Sequence, residues 1–158
     1  MFTLKNHGVI FAGMNVRPES HGEDITVVVD CKIKTRVSSE TLSELHPSLA
    51  SFLFQHDPKK MDLADEPDKL NVVRFPFLGS VAWTKEKSPV PVEFALIPEK
   101  PTVQADCRIH KIQIAPMIGG YSGLNFTVTI APDGKQVGAL SGMLGETILL
   151  TINQPPEE

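Results

Sequence analysis

Residues 25–37 have the sequence ITVVVDCKIKTRV, the clearest strand pattern in the chain. Side chains alternate between the two faces of a strand, and every odd position from Ile25 to Val37 is apolar or threonine. Charged side chains occupy the even positions from Asp30 to Arg36. One face is therefore predicted to be buried, and the other to be solvated toward the C-terminal end. The many β-branched residues favour the same conformation.

The hydrophobic spacing becomes helical immediately after this strand. The residues that recur on one helical stripe are Leu42, Leu45, Leu49, Phe52 and Leu53. Pro47 disfavours helix at the residue before it and is favoured at a first helical position. The pattern therefore predicts two short helices packed on the same sheet, with the second starting at Pro47. Ser38 or Ser39 is predicted to cap the first helix.

The segments before the long strand predict a short hairpin and a connector. Phe2–Asn6 and Val9–Val16 are its two predicted strands, with the turn at His7 and Gly8. Residues 17–24 are polar and contain both proline and glycine, which is typical of a connecting loop.

The middle of the chain predicts a long loop followed by antiparallel strands. Residues 55–70 are polar and charged, which marks the single candidate boundary between two lobes. Val72–Phe77, Gly79–Lys85 and Val90–Ile97 are predicted to form a meander. Pro91 favours an edge position for the last of these strands, because proline cannot donate to a ladder.

The last third has the order strand, strand, helix, strand. The predicted strands are Ala105–Ala115, Leu124–Ala131 and Glu146–Asn153. Val137, Leu140, Met143 and Leu144 form the helical stripe, and Gly145 is predicted to end it. Gly138 and Gly142 share one helical face, which favours a close approach to the sheet over contact with a second subunit.

The predicted fold is a single α+β domain over residues 1–153, with a tail at 154–158. It has about nine strands, mainly antiparallel, and two or three short helices packed on the sheet. The 158-residue chain is long enough to build a core without staples. It contains no run of about 18 apolar residues that would span a membrane.

Composition limits the compartment and the partners. The net charge of −4 argues against a dominant polyanion-binding surface, but it leaves room for a local basic stripe. Cys31 and Cys107 each lie within an apolar alternation, so both are predicted to be buried thiols in a reducing compartment. A disulfide between them is the alternative. Residues 1–7 lack the pattern of a secretion signal, so a cytoplasmic location is expected.

Motifs for metal, cofactor or nucleophile chemistry do not occur in the sequence. No two of the five histidines have metal-ligand spacing, and there is no Cys-x-x-Cys pair or phosphate-binding glycine loop. Ser141 lacks the glycine two residues earlier that a nucleophile elbow needs. We therefore expect no cofactor, no metal and no enzymatic activity.

A basic stripe on the long strand is the leading candidate for binding. Lys32, Lys34 and Arg36 are two residues apart, so they project from one face at about 6–7 Å intervals, which suits successive phosphates of a single strand. Nearby aromatic and basic residues are candidates for stacking and further contacts. They are Arg74, Phe77, Trp83 and Lys85. The alternative is an ordinary solvated face beside core aromatics.

A second polar set lies on one predicted strand in the last third. Asp106, Arg108 and His110 share a face, and an acid in line with an imidazole could act in acid–base chemistry. A cross-strand ion pair is the favoured role. Ile112 and Ile114 continue the same alternation, while Cys107 and Ile109 occupy the other face, which predicts a bulge or twist.

Two stretches carry a resemblance to a known group of proteins. The first begins with residues 17–24 (RPESHGED), runs into the long strand and continues with residues 42–49 (LSELHPSL), and the second is residues 138–150. They resemble small uncharacterised proteins encoded in the early regions of tailed bacteriophages and prophages. The resemblance implies an accessory role in DNA metabolism or against host defence, in the host bacterial cytoplasm. It carries no functional residues across.

The leading hypothesis is a non-catalytic accessory binding protein whose partner is a protein or single-stranded nucleic acid, with no membrane role and with self-association left open. The first alternative is a structural or assembly subunit of a phage particle, favoured by the mostly β composition. The second is a small hydrolase-like enzyme centred on Asp106 and His110.

Overall fold

A computed structural model describes residues 1–56 and 70–155. Nine strands and three short α-helices occur in these ranges, which confirms the predicted α+β class. The strands are β1 (Leu4–His21), β2 (Asp24–Ser38), β3 (Phe54–Gln55), β4 (Val72–Val73), β5 (Val81–Trp83), β6 (Lys87–Ile97), β7 (Lys100–Pro116), β8 (Tyr121–Ile130) and β9 (Thr147–Ile152). The helices are α1 (Ser39–Leu45), α2 (Leu49–Leu53) and α3 (Gly134–Met143), with a 3₁₀ turn at Pro76–Leu78. Most of the predicted lobe boundary (57–69) and the end of the tail (156–158) lie outside the described residues.

Six strands close into an antiparallel barrel. Their order is β7-β6-β9-β1-β2-β8, and β8 pairs back to β7. Each of these strands therefore has two hydrogen-bonded neighbours over its central residues, which covers the edges that an open sheet exposes. β5 adds to β7 outside this ring, and β3 and β4 form a separate two-stranded sheet.

The inside of the barrel is filled with apolar side chains. Phe11, Ile33, Phe94, Ile109 and Leu124 are among the fully buried residues. The odd positions of β2 from Val29 to Val37 face this interior, as the alternation predicted, except that Thr35 is half-buried. A filled six-stranded barrel is a packed core rather than a channel.

Helices cover the two ends of the barrel. α1 follows β2 at the end where β8 begins, and Thr3 donates its backbone N–H and its hydroxyl to Glu44 Oε2, both at 2.8 Å. α3 follows the opposite end of β8 and buries Leu140 and Met143. Its first turn is capped by Asp133 and Gln136, which exchange side-chain to backbone hydrogen bonds.

A bulge in β7 switches the faces of the strand. Cys107 and Ile109 are buried before it, and Ile112 and Ile114 are buried after it. The register shifts between His110 and Gln113, and Lys111 takes a φ of 54°. This confirms the bulge predicted from the broken alternation.

The predicted N-terminal hairpin is wrong. Residues 4–21 form one strand, and the turn lies at Gly22 and Glu23. A register shift between Leu4 and His7, with Asn6 at a φ of 42°, absorbs the irregularity that resembled a turn. Residues 17–21 are strand rather than connector, because each pairs with a residue of β2.

The predicted meander is also wrong. Val72–Val73 pairs with Phe54–Gln55, and β5 pairs with β7 rather than with β6. β6 is not an edge strand, since β7 and β9 flank it. Pro91 is tolerated because it lies just beyond the pairs with β9, where its carbonyl accepts from Asn153 N at 3.0 Å.

Two predictions about the helices also need correction. α2 starts at Leu49 with Ser48 at the N-cap, so Pro47 precedes the helix instead of opening it. A Cβ on Gly138 or Gly142 would meet nothing within 4 Å, so these glycines do not serve a close approach. Gly145, at a φ of 83°, follows α3 as predicted. No helix in the described ranges is long and apolar enough to cross a membrane.

Candidate functional site

The polar surface of interest is the outer face of β2, β8 and β7. Even positions of β2 point outward, because the odd positions fill the barrel. Register places Lys32 beside Thr127, and Thr127 beside His110. In the same way Asp30 lies beside Thr129, and Thr129 beside Arg108. Side chains that are far apart in sequence thus form two rows across three strands.

The basic stripe (Lys32, Lys34 and Arg36) is exposed on this face, as predicted. Two of its cations have a glycine neighbour: Gly13 lies opposite Lys32, and Gly123 lies opposite Arg36. A Cβ at Gly13 would be 3.2 Å from Lys32 Cδ, so the glycine leaves room for the lysine stem. Lys34 instead lies opposite Ile10 of β1, which is 50% exposed, so the stripe is bordered by small residues at its ends and by an apolar side chain at its middle.

Tyr121 adds an aromatic ring to the stripe. The Arg36 guanidinium lies over this ring at 5.4 Å from its centroid, and the tyrosine is half exposed. The sequence analysis missed Tyr121, because it lies between the predicted strands Ala105–Ala115 and Leu124–Ala131. Its position depends on the pairing of Ser38 with Tyr121, which no local pattern reveals.

A chain of hydrogen bonds runs beside the stripe. Arg17 Nε donates to Asp30 Oδ2 at 2.6 Å, and Thr129 Oγ1 donates to Asp30 Oδ1 at 2.6 Å. His110 Nε2 lies 2.7 Å from Thr129 Oγ1. Because the threonine proton goes to Asp30, the imidazole must be the donor of this last bond.

The chain sets the charge states of its members. The hydrogen bond from Arg17, helped by that from Thr129, holds the pKa of Asp30 below its usual range. Burial lowers the pKa of His110, and the neighbouring charges of Arg108 and Lys111 act in the same direction. Asp30 is thus an anion matched by Arg17, and it does not offset the cations of the stripe.

Arg108 has an unused donor. Its Nε is buried and finds no hydrogen-bond partner among the described residues. The side chain lies on the outer face two positions from Asp106, and Thr129 separates it from Asp30 along the row. Arg108 thus lies two strands from the basic stripe, and the exposed Lys111 follows His110 at the bulge of the same strand.

The remaining predicted binding residues do not join this face. Arg74 donates to the carbonyls of Ser51 and Phe54 at 3.1 and 3.2 Å, so it tethers α2 and β3. Trp83 pairs with the inward-facing Ile112 and packs against the core. Two others, Phe77 on the 3₁₀ turn and Lys85 after β5, are exposed on a different part of the chain. The seven predicted residues therefore belong to more than one surface.

The proposed acid–base pair is far apart. Asp106 and His110 are four residues apart on β7, roughly 13 Å along a strand. His110 is buried and bonded to Thr129, whereas Asp106 is exposed. This separation argues against their acting on one bond.

The cysteines are free thiols inside the barrel. Burial raises the pKa of Cys31 and of Cys107 to about 12. β8 lies between their strands, so their Cα atoms are about 10 Å apart, beyond the reach of a disulfide. The predicted buried thiols are confirmed, and the disulfide alternative does not fit this spacing.

No metal-binding group of three or more candidate ligands occurs within residues 1–56 and 70–155. An open groove of about 580 Å³ lies outside β1, β6 and β9. Lys5, Asn6, Glu93, Glu99 and Thr151 contribute to its lining, which mixes charges of both signs. It therefore lacks the single-sign charge of the stripe.

Comparisons with family models, with curated proteins and with solved structures found no match to this chain. Function is therefore inferred from the geometry of the outer face of β2, β8 and β7.

Proposed function

We propose that this protein is a non-catalytic binding protein, and that the outer face of β2 binds single-stranded nucleic acid through its phosphates. The observation that carries the proposal is the exposed basic stripe, with its three cations on one face of one strand. Nucleic acid is the expected ligand class, because a row of cations at regular intervals can neutralise a row of phosphates.

The spacing favours an extended strand. Alternate residues of β2 lie about 6–7 Å apart, so the stripe presents cations at the intervals of an extended backbone. Gly123 and Asn125 of β8 are short, so they let the strand approach the sheet on that side of the stripe. Tyr121 supplies a half-exposed ring on which a base can stack.

The charge distribution favours attraction of nucleic acid by the basic stripe itself rather than by the protein as a whole. The chain carries a net charge of −4, so its overall field repels a polyanion. The ion pair between Arg17 and Asp30 removes one opposing charge from the face. Binding should therefore depend on the stripe itself, and three neutralised phosphates predict a salt slope of about −2.

The biological process in which this binding acts is inferred from the resemblance to early-region phage proteins. It points to DNA metabolism or counter-defence as the process that this binding serves, in the cytoplasm of the host bacterium. A packed barrel with a docking face is consistent with an accessory role, in which binding rather than bond-making is the activity.

Fluorescence anisotropy with a labelled oligothymidylate tests the proposal. Replacing two cations in the variant Lys32→Glu/Lys34→Glu should abolish binding and flatten the salt dependence. The matched control is Lys100→Glu/Lys135→Glu, which changes the net charge equally at exposed lysines away from the stripe. We expect this control to retain most of the affinity. Equal losses in both variants, or a flat salt response of the unmodified protein, would contradict the proposal.

A second candidate is a structural or assembly subunit of a phage particle. The exposed apolar residues Val16, Ile25 and Val27, on strands that extend past the barrel, favour it. Light scattering separates the candidates, because an assembly subunit forms large particles as its concentration rises. A closed small oligomer that binds oligothymidylate favours the first candidate.

A further inference from the structure

The basic stripe ends beside an aromatic ring. Arg36 is the last cation of the stripe, and it lies opposite Gly123 of β8. Tyr121 is two residues before Gly123, so both residues belong to the outer face of the barrel. Tyr121 therefore lies diagonally across from Arg36, and Gly123 has no side chain to separate the two.

The guanidinium group of Arg36 uses its face and leaves its edge free. Its central carbon lies 5.4 Å from the centroid of the Tyr121 ring. A guanidinium that lies over a ring still presents its N–H donors at its edge. Within residues 1–56 and 70–155, no acceptor or carboxylate takes these donors. The backbone of Arg36 is held in place, because the imidazole of His7 donates to its carbonyl at 3.0 Å.

The Tyr121 ring remains accessible although Arg36 lies over it. The residue is 49% exposed, and its carbonyl accepts from Met117 N at 2.8 Å, which fixes it at the base of the β7–β8 hairpin. A Cβ at Gly119 would lie 3.7 Å from Tyr121 Cδ2 and 3.9 Å from Cε2. Because residue 119 is glycine, no side chain covers this edge of the ring from that position.

These two groups match the two parts of a nucleotide. The free edge of a guanidinium binds phosphate oxygens through charge-assisted hydrogen bonds. An accessible aromatic ring stacks on the face of a base, and every base offers such a face. A base within a duplex already stacks on its neighbours, so this second contact requires an unpaired base.

We infer that Arg36 and Tyr121 form a nucleotide subsite at the end of the basic stripe, where Arg36 binds a phosphate and Tyr121 stacks on an unpaired base. The subsite depends on the proposed function, because Arg36 belongs to the stripe. Lys32 and Lys34 contact phosphates alone, whereas Tyr121 contacts the base. Tyr121 therefore makes the face selective for single strands, and without it the affinity comes from phosphates only.

Fluorescence anisotropy with two ligands of equal length and charge tests this selectivity. One ligand is a labelled oligothymidylate, and the other is an abasic oligonucleotide with the same sugar–phosphate backbone. The unmodified protein should bind the oligothymidylate about 5- to 100-fold more tightly, the range expected for one stacked base. Tyr121→Ala should bind both ligands equally. Tyr121→Phe should bind like the unmodified protein, because it keeps the ring.

Phe77→Ala is the matched control for the loss of an exposed ring. Phe77 is 85% exposed on the 3₁₀ turn, and it does not join the outer face that carries the stripe. This variant should keep the full preference for the oligothymidylate. Circular dichroism checks that each variant folds. A loss of preference in Phe77→Ala as large as that in Tyr121→Ala would contradict the assignment of the stacking ring.

Fluorine NMR tests the stacking contact without any substitution. Tyr121 is the single tyrosine of the chain, so incorporation of fluorotyrosine labels this ring alone. An oligodeoxyadenylate should shift the resonance strongly, because a stacked purine exerts a large ring current. The abasic oligonucleotide should shift it much less, since it brings phosphate to Arg36 but no base to the ring. Equal shifts with both ligands, or no shift with either, would overturn the subsite.

Failure of the subsite differs from failure of the proposed function. If Tyr121→Ala keeps the preference for the oligothymidylate while Lys32→Glu/Lys34→Glu abolishes binding, the stripe binds phosphates and the subsite is wrong. The subsite is equally wrong if the unmodified protein binds both ligands with one affinity. If Lys32→Glu/Lys34→Glu binds the oligothymidylate unchanged, the proposed function fails, and the subsite fails with it.

Discussion

At the residue scale, Thr129 holds the polar chain of the outer face together. It donates to Asp30 and accepts from His110, and it is only 7% exposed. Water has little access to replace either bond, so both neighbours depend on this one hydroxyl. The chain also keeps Asp30 and Arg17 in place beside the basic stripe.

Thr129→Val should destabilise the protein by about 1–3 kcal/mol, because the buried His110 and the partly buried Asp30 each lose a hydrogen-bond partner while the volume stays nearly constant. Urea unfolding followed by circular dichroism measures this change. Thr127→Val is the control, since Thr127 is 8% exposed on the same face but lies outside the chain. Equal stability of both variants would show that the chain contributes nothing to folding.

The outward position of the basic stripe could be predicted, whereas its neighbours could not. Alternation along β2 places Lys32, Lys34 and Arg36 on one face without any knowledge of other strands. The contacts of Tyr121 and Arg17 depend on register between strands, which is set by packing and turns rather than by local pattern.

At the element scale, one glycine inside α3 and one just after its end should respond to substitution with opposite signs. Gly138 lies inside the helix with open space around its Cα, so Gly138→Ala should stabilise the protein by about 0.5–1 kcal/mol. Gly145 has a φ of 83°, where an L side chain is strained, so Gly145→Ala should destabilise it by about 1–2 kcal/mol. Thermal unfolding of the two variants measures both changes. A stabilising Gly145→Ala, or a destabilising Gly138→Ala, would contradict this account of the helix.

Helices and strands with a strong hydrophobic periodicity were predicted from the sequence. Strands whose bounds depend on pairing with other strands were not. β2, β8, β9 and α3 each follow an alternation or a helical stripe in the sequence. The irregular segment around His7 resembled a turn, yet it pairs with β9 and stays in one strand. β5 joins β7 because β7 outlasts its pairing with β6, which leaves an open edge at Ile112–Ile114.

At the scale of the whole molecule, closure of the barrel could not be derived from the sequence. Closure depends on β8 pairing with both β2 and β7, a contact between distant segments. The α+β class and the mostly antiparallel sheet could be derived, because the order of strands and helices already excludes a parallel arrangement. The docking function inferred from the absence of a catalytic motif stays a prediction, because a packed barrel is compatible with many functions.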